Sequence, residues 1–137
     1  MIPQRLQQEQ MLLEKYFHGR YRFVSSPTEH LDVGIQTSTG SVYRINIILQ
    51  PDYPNSIPEV RIVYPLPLNT FEGEPLKEAS HAMHILGRAG QSIIICHFKS
   101  WTPRDSLYKV IFKARLWLEA YEGHKRTGRT IDSYLKS

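Results

Sequence analysis

Apolar residues near the start of the chain recur at helical spacing. Leu6, Leu13 and Phe17 stand on one side of this segment among Gln and Glu residues, and Gly19 follows them. Such spacing is typical of an amphipathic helix, and a glycine commonly stands just after a helix end. We therefore predict a first helix from about residue 4 to residue 18.

Four later segments alternate between apolar and polar residues with a period of two. Their apolar members are Tyr21 and Phe23; Leu31, Val33 and Ile35; Tyr43, Ile45, Ile47 and Leu49; Val60 and Ile62. This alternation indicates strands that bury one face, and turn residues separate them. The pattern predicts a four-stranded antiparallel meander. From Pro65 to about Gln91 it predicts irregular structure.

Three prolines interrupt the segment between the third and fourth strands. Proline lacks the backbone N–H and disrupts both helices and internal sheet ladders. We therefore predict an irregular turn between residues 50 and 59. Its two large apolar side chains, Tyr53 and Ile57, are expected to be buried.

The only cysteine of the chain, Cys96, follows three isoleucines and precedes a Trp-Thr-Pro turn. Consecutive β-branched residues favour extended, buried backbone, so this run should bring the thiol to the border of a polar loop. A free cysteine is more often a buried apolar side chain than a reactive one. Here His84, His97 and Lys99 are close in sequence, and such neighbours lower the pKa of a thiol. The stretch is a candidate nucleophilic site.

A second amphipathic helix is predicted after the Trp-Thr-Pro turn. Its apolar stripe consists of Leu107, Ile111, Ala114, Leu118 and Tyr121, widened by Val110 and Trp117. A stripe at steps of three and four covers one face of a sheet. Asp105 or Ser106 is expected to cap the start of this helix, and Gly123 to mark its end. Beyond the helix, Ile131, Tyr134 and Leu135 predict a short docked turn.

Length and composition favour one domain. A chain of 137 residues with 41% apolar content is long enough for a hydrophobic core. We expect a cytoplasmic protein with no membrane partner, because no apolar run is long enough to span a membrane and the N-terminus has no signal-peptide core. One cysteine forms no internal disulfide. We predict neither a metal nor another cofactor, because the spacing of the histidines and Cys96 fits no standard zinc site.

The net charge of +4 is compatible with a nucleic-acid surface, but it does not favour one. The 17 basic residues are scattered and are offset by 13 acidic ones. The densest basic cluster, residues 124–129, is interpreted as the solvated end of the second helix, where cations are favourable. Docking of an acidic protein is the alternative interpretation. We predict no nucleic-acid partner.

The order of these elements resembles the ubiquitin-conjugating enzyme (UBC-like) superfamily over about residues 4 to 122. Tyr53-Pro-Asn-Ser-Ile-Pro-Glu-Val60 is similar to that family's Tyr-Pro-x-x-x-Pro-x-Val turn, and Cys96 with Trp101-Thr-Pro103 is similar to its active-site cysteine and downstream Trp-x-Pro. The resemblance implies one α+β domain, 1–137, with a UBC-like fold. That fold has an N-terminal helix, a four-stranded antiparallel meander, an active-site loop, a covering helix and, here, a truncated C-terminus.

Several departures from the family pattern point to a bacterial branch. The family's His-Pro-Asn, whose Asn helps to hold the thioester oxyanion, is replaced by His81-Ala-Met-His84. The loop from Cys96 to Trp101 is about three residues shorter than in eukaryotic members, and the two usual C-terminal helices are lacking. A histidine before Gly90-x-Ser-Ile-x-x-Cys96 is followed by Trp101-x-Pro-x-Asp-Ser-Leu107, Trp117-Leu-Glu-Ala-Tyr-Glu122 and Thr127-Gly128. In these motifs the chain is similar to bacterial members encoded in anti-phage islands, among them the stand-alone conjugating enzymes of cyclic-oligonucleotide-based anti-phage signalling (CBASS).

The resemblance implies an acyl (aminoacyl) transferase that forms a thioester with a partner's C-terminus and passes it to a lysine. The implied donor is a cGAS-like nucleotidyltransferase of a CBASS operon or a ubiquitin-like protein, and the implied role is antiviral defence. This chemistry needs a nucleophile, a base and an oxyanion donor. Cys96 is the predicted nucleophile, and His84 and His97 are the candidate bases. His84 or the backbone amides of residues 90–92 are the candidate oxyanion donors.

Each of these assignments has an alternative. His84 equally fits a solvated loop residue, and His97, which directly follows Cys96 on extended backbone, is expected to face the other way in a structural role. Trp101 and Tyr53 are expected to pack and fix the loop. A papain-like protease is disfavoured because its local cysteine signature is absent. For the whole chain, the alternative function is a catalytically inactive UBC-like or RWD-like protein-binding module.

Overall fold

The structure is a computed structural model that describes residues 3–26, 28–76, 79–97 and 100–135. Within these ranges, the chain forms three helices and six strands. In chain order they are α1 (Pro3–Phe17), β1 (Tyr21–Val24), β2 (His30–Gln36), β3 (Val42–Ile48), β4 (Glu59–Tyr64), β5 (Ile85–Ala89), β6 (Ser92–Ile95), α2 (Leu107–Thr127) and α3 (Ile131–Leu135). The architecture is α+β, as predicted. No helix in this part of the chain has the length and apolar character needed to cross a membrane.

The strands form one antiparallel sheet in the order β1-β2-β3-β4-β6-β5. Val33 lies opposite both Tyr21 and Ile45, so the apolar faces of β1, β2 and β3 coincide. β6 continues the sheet beyond β4, with Val60 opposite Ile95. The predicted meander of β1 to β4 is therefore confirmed. The predicted strand number is wrong, because the described part of the sheet has six strands rather than four.

β5 lies inside the segment predicted to be irregular, so that prediction is wrong for residues 85–89, and β6 directly follows the segment. β5 has the sequence Ile-Leu-Gly-Arg-Ala, which shows no clear alternation, and only its first residue is buried. Gly90 has a φ of 61° and forms the turn into β6, a backbone conformation that glycine adopts without a Cβ penalty. The isoleucines of β6 correctly predict extended, buried backbone, but they do not reveal its pairing partners.

The core forms between one face of the sheet and α2. The predicted stripe of α2 is confirmed, because its apolar members are buried in the same cluster as the inward residues of the strands. Burying a side chain of this size contributes about 1.5–3 kcal/mol to folding. Trp117 and Leu118, near the middle of α2, are among the largest fully buried side chains.

A distant carboxylate caps the start of α2. Ser106 is the N-cap residue, as predicted, but its side chain makes no capping hydrogen bond. The buried Glu9 of α1 instead accepts the N–H of Leu107 at 3.2 Å, and it also accepts the hydroxyl of Tyr53. Unpaired amides and the positive end of the helix dipole favour an anion at this position. Glu9 therefore joins α1, α2 and the turn before β4.

Gly123 does not end α2, contrary to the prediction. The helix continues to Thr127, and its C-cap is Gly128 with a φ of 80°. A Cβ at position 123 would lie 2.8 Å from Cζ of Tyr134 in α3. The glycine therefore allows close packing within the C-terminal region. The predicted docked turn is confirmed as the short helix α3, in which Ile131 is buried.

Two predictions of exposure are also wrong. Tyr53 is buried, but 41% of Ile57 is exposed. His124 is buried, although the rest of the predicted solvated cluster, residues 125–129, is exposed at the end of α2. Its Nε2 accepts the N–H of Phe71 at 3.0 Å, and its Nδ1 donates to the carbonyl of Arg129 at 2.7 Å. These two hydrogen bonds explain why the polar ring is stable in the interior.

Candidate active site

Cys96 lies one residue beyond β6, at the open end of the β5–β6 hairpin. Its backbone N–H donates to the carbonyl of His84 at 2.8 Å. This hydrogen bond joins the residue that follows β6 to the residue that precedes β5. The thiol is half-buried and forms no disulfide. The hairpin thus brings together the predicted nucleophile and one predicted base.

The loop that carries His84 is held from two helices. On α2, Nε1 of Trp117 donates to the carbonyl of Met83 at 3.0 Å. On α3, the backbone N–H of Asp132 donates to the carbonyl of Ala82 at 2.8 Å. His84 itself has a φ of 50°, a left-handed conformation that costs a non-glycine residue free energy and persists where surrounding contacts enforce it. The loop is therefore fixed by contacts with both helices, although His81 and Ala82 are exposed.

The imidazole of His84 is paired with a carboxylate. Its Nε2 lies 2.7 Å from Oδ1 of Asp132, and the side chains are 19% and 20% exposed. Solvent screens a contact this buried less than it screens a surface ion pair. When Nε2–H donates to the carboxylate, the neutral ring keeps Nδ1 as the nitrogen that accepts a proton. His84 therefore has the geometry of an oriented base.

Sequence reasoning missed Asp132. Its carboxylate comes from α3, far along the chain from the histidine that it orients. The available signal was its position beside Ile131, the buried anchor of the predicted docked turn. That signal places the backbone near the body of the protein, but it does not identify the partner of the side chain.

Cys96 and His84 line one cleft of about 370 Å³. Its remaining lining is formed by His97, Ser100, Lys113, Leu116, Trp117 and Leu135. Apolar side chains of α2 and α3 therefore line the same cleft as Cys96, together with the cationic residue Lys113.

A second cleft, of about 220 Å³, also reaches Cys96 and shares His97 with the first. Its remaining lining is formed by Gln50, Ile57, Pro58, Glu59 and Leu86. The sheet register explains the presence of Glu59. Val60 lies opposite Ile95 in antiparallel strands, so one further step places Glu59 opposite Cys96. Opposite residues project to the same face of a sheet.

His97 lies where the two clefts meet, in a largely buried environment. Burial lowers the pKa of its imidazole to about 4, although hydrogen bonds to the carbonyls of Ile95 and Pro58 act in the other direction. Its Nδ1 is 3.5 Å from the carbonyl oxygen of Ile95, which is a long hydrogen bond. A largely buried imidazole with one long hydrogen bond to a backbone carbonyl supports the structural interpretation of His97.

The backbone amides of residues 90–92 do not lie at the thiol, so this predicted oxyanion donor is wrong. The turn at Gly90 closes the far end of the β5–β6 hairpin. Ser92 and Cys96 are separated by the length of β6, about 13 Å for four steps of extended backbone. His84 is the predicted oxyanion donor that does line the cleft of the thiol.

The segment after the thiol is tied to the turn before β4. Nε1 of Trp101 donates to the carbonyl of Pro54 at 2.8 Å, and the rings of Trp101 and Tyr53 lie 6.0 Å apart. Arg5 of α1 donates to the carbonyl of Pro103 at 2.6 Å. The predicted packing role of Trp101 and Tyr53 is confirmed. Lys99, proposed as a cationic neighbour of the thiol, lies outside the described residues.

Within the described ranges, no three His, Cys, Asp or Glu side chains are arranged to hold a metal ion. The chain matches no protein-family model, no curated protein and no solved structure. The chemistry of the site therefore rests on its own geometry, that is, on a half-buried thiol beside a histidine oriented by a carboxylate.

Proposed function

We propose that this protein is a cysteine-dependent protein-conjugating enzyme of the ubiquitin-transfer type. Cys96 forms a thioester with the C-terminus of a partner protein, and the acyl group then passes to a lysine. The observation that carries this proposal is the cleft that Cys96 shares with the Asp132-oriented imidazole of His84. A nucleophile, a base and an orienting carboxylate together activate a thiol for acyl transfer.

In the first step, Nδ1 of His84 takes the proton of the Cys96 thiol, and the thiolate attacks the partner's terminal carbonyl carbon. The C–S bond forms, the bond to the leaving group breaks, and His84 returns the proton to that group. The leaving group is either the adenylate of an activated C-terminus or the amine of a peptide bond. Asp132 holds Nε2–H and stabilises the imidazolium.

In the second step, the amine of a lysine attacks the thioester. The C–N bond forms as the C–S bond breaks, and Cys96 leaves as a thiolate. One amine proton passes to Nδ1 of His84 and from there to the sulfur, which restores the starting protonation of the site. Thiolate is a better leaving group than an amine, and this makes the exchange favourable.

The architecture and the motifs support the more specific proposal of a UBC-like fold. An N-terminal helix, an antiparallel sheet, a thiol after the strands and a C-terminal helix follow one another in the order of that family. From the resemblance to the bacterial branch, we further propose a CBASS nucleotidyltransferase or a ubiquitin-like protein as the acyl donor. The proposed role is anti-phage defence in the cytoplasm.

A trapping experiment tests this function. The purified protein is mixed with the nucleotidyltransferase or ubiquitin-like protein encoded beside it, with and without an adenylating enzyme, and examined on a non-reducing gel. We expect an adduct that dithiothreitol releases and that Cys96→Ala abolishes. Cys96→Ser should give an oxygen ester that dithiothreitol does not release.

Two results would contradict the proposal. One is the absence of an adduct with either donor, and the other is an undiminished adduct in Cys96→Ala. Full biological function of Cys96→Ala would instead support the alternative of a protein-binding module without catalysis.

A further inference from the structure

The smaller cleft at Cys96 is small and has exposed apolar walls. Its volume of about 220 Å³ is below the range of about 300–1,000 Å³ that is typical of small-molecule sites. Such a space suits one inserted side chain. Ile57 and Leu86, which line it, are 41% and 62% exposed despite being large and apolar. The walls of the cleft are therefore apolar surfaces that no described part of the chain covers.

A carboxylate stands in this cleft beside the thiol. Glu59 occupies the position opposite Cys96 in the continued register of β4 and β6, and directly opposite residues have Cβ atoms about 5 Å apart. Its Oε2 is 2.5 Å from Nε of Arg61, and both side chains are about one third exposed. The carboxylate is thus held on the sheet face and remains accessible to solvent.

We infer that this cleft receives the acceptor lysine, with its methylene stem on Ile57 and Leu86 and its amine beside Glu59. The inference rests on the acyl transfer proposed at Cys96. A lysine side chain has a long apolar stem that packs on apolar surface and a charged head that remains at a polar group. The cleft presents both features, with Ile57 and Leu86 as apolar surface and Glu59 as the polar group.

The two clefts at Cys96 differ in charge. The larger one contains Lys113, and no carboxylate is among its described lining residues. The smaller one contains Glu59 and no cationic lining residue within the described part of the chain. The smaller cleft is therefore the better match for an ammonium group. An acyl donor and an amine acceptor could then occupy different sides of the same sulfur.

Glu59 acts as a positioning residue. Its charge raises the local concentration of the ammonium group, which gives one proton to a solvent base before attack. The neutral amine then forms the C–N bond as the C–S bond breaks, and its second proton passes through Nδ1 of His84 to the sulfur of Cys96. Removing the carboxylate should therefore weaken capture of the acceptor without changing the chemical step.

A two-stage assay separates these effects. Cys96 is loaded from a short peptide thioester that ends in glycine, and the loaded protein is discharged with increasing concentrations of N-acetyl-lysine methylamide. Glu59→Gln should raise the half-maximal lysine concentration about three- to fivefold, as expected for a partly exposed charge pair. Loading and the maximal discharge rate should be unchanged. Glu59→Arg should raise that concentration about tenfold, because repulsion replaces attraction and a guanidinium group does not itself attack the thioester.

Three controls define the effect. Hydroxylamine, a small neutral nucleophile, should discharge all variants equally. Glu119→Gln is the matched control, because Glu119 pairs with Arg115 at 3.6 Å on α2 and lines neither cleft. Leu86→Ser should weaken discharge by the lysine analogue but not by hydroxylamine, since it removes part of the apolar wall.

The two possible failures are distinguishable. Normal loading with the same half-maximal lysine concentration in the wild-type protein, Glu59→Gln and Glu59→Arg would overturn this inference and leave acyl transfer at Cys96 standing. A wild-type protein that takes up no acyl group would overturn the proposed function, and this inference with it.

Discussion

The meander of β1 to β4 and the thiol end of the molecule are built in different ways. We use the term thiol end for the loop 80–84, β5, β6, Cys96 and α3. In the meander, each strand pairs with the next one in the chain. In the thiol end, α3 reaches back to the loop before β5 through the 2.7 Å contact of Asp132 with His84. Local pairing builds the meander, whereas the thiol end combines the local β5–β6 hairpin with contacts between distant residues.

Polar groups also serve different purposes in the two regions. Beside the meander, the buried carboxylate of Glu122 accepts the hydroxyls of Thr37, Thr39 and Tyr43, each at 2.8 Å. These hydroxyls satisfy the charge and lock the helix to the strands. In the thiol end, the pairing of His84 leaves one ring nitrogen able to exchange a proton. We therefore expect substitutions to separate stability from reactivity.

The largest expected effect is the loss of the base. His84→Gln should slow acyl loading from the peptide thioester about a hundredfold, which is at the lower end of typical general-base contributions. Asp132→Asn should slow loading about tenfold or more, because it disturbs the orientation and tautomer of the imidazole. His81→Gln is the control, since His81 is exposed and its ring lies 6.0 Å from that of His84. Loading within threefold of the wild-type rate in both variants would contradict the assignment.

The next effect concerns His97, and we expect it in the stability of the fold rather than in the loading rate. Burial lowers the pKa of His97 from 6.5 to about 4, so between these values the unfolded chain binds a proton that the native state does not. Stability should therefore fall as the pH falls through this window, by roughly 3 kcal/mol. His97→Gln should flatten that part of a urea-unfolding profile and leave loading at neutral pH within threefold.

A hundredfold loss of loading in His97→Gln would place this residue in the chemistry beside His84. An unchanged slope between pH 6.5 and pH 4 would show that another group causes the acid sensitivity. Either result would remove the contrast between the two histidines.

Tyr43→Phe tests the meander by itself. It removes one of the hydroxyl donors to the buried carboxylate of Glu122, and this should lower the free energy of unfolding by about 1–2 kcal/mol. Urea denaturation measures the loss, and the loading rate of Cys96 should not change. A slower loading rate at unchanged stability would contradict the expectation that the meander determines stability and the thiol end determines reactivity.

The smallest expected effect on the loading rate comes from a packing change at Gly123, which does not itself line the site. In Gly123→Ala, the new Cβ would lie 2.8 Å from Cζ of Tyr134, so the tyrosine ring or α3 must move. A shift of α3 displaces Asp132, and loading should slow about threefold, in keeping with modest overpacking. Adding Tyr134→Ala should restore the rate. A normal rate in Gly123→Ala would indicate that the ring moves without α3.

Sequence pattern predicts the fold where burial repeats regularly along the chain. α1, β1 to β4 and the stripe of α2 have such repeats, and their places are confirmed. β5 was not predicted because an edge strand with one buried residue has no repeat. Gly123 was misread because a glycine inside a helix and a glycine after it look alike in the sequence. Only the neighbouring Tyr134 distinguishes the two.

The candidate site also contains residues that local sequence predicts and residues that it does not. Cys96 and His84 were predicted because their residue types and neighbours carry a chemical signal in the local sequence. Asp132 was not predicted, because its role depends on where α3 docks. The exposure of Ile57 was not predicted either, since it depends on a cleft formed by separate segments. Local sequence therefore indicates the reacting groups but not the groups that orient them.

The most direct test of the central claim is intact-mass spectrometry of the whole protein after incubation with the peptide thioester. If Cys96 is an acyl acceptor activated by His84, the wild-type protein should gain one acyl group that added thiol removes. Cys96→Ala should gain none, and His84→Gln should gain it about a hundredfold more slowly. No mass gain in the wild-type protein, or an equal gain in Cys96→Ala, would contradict the account.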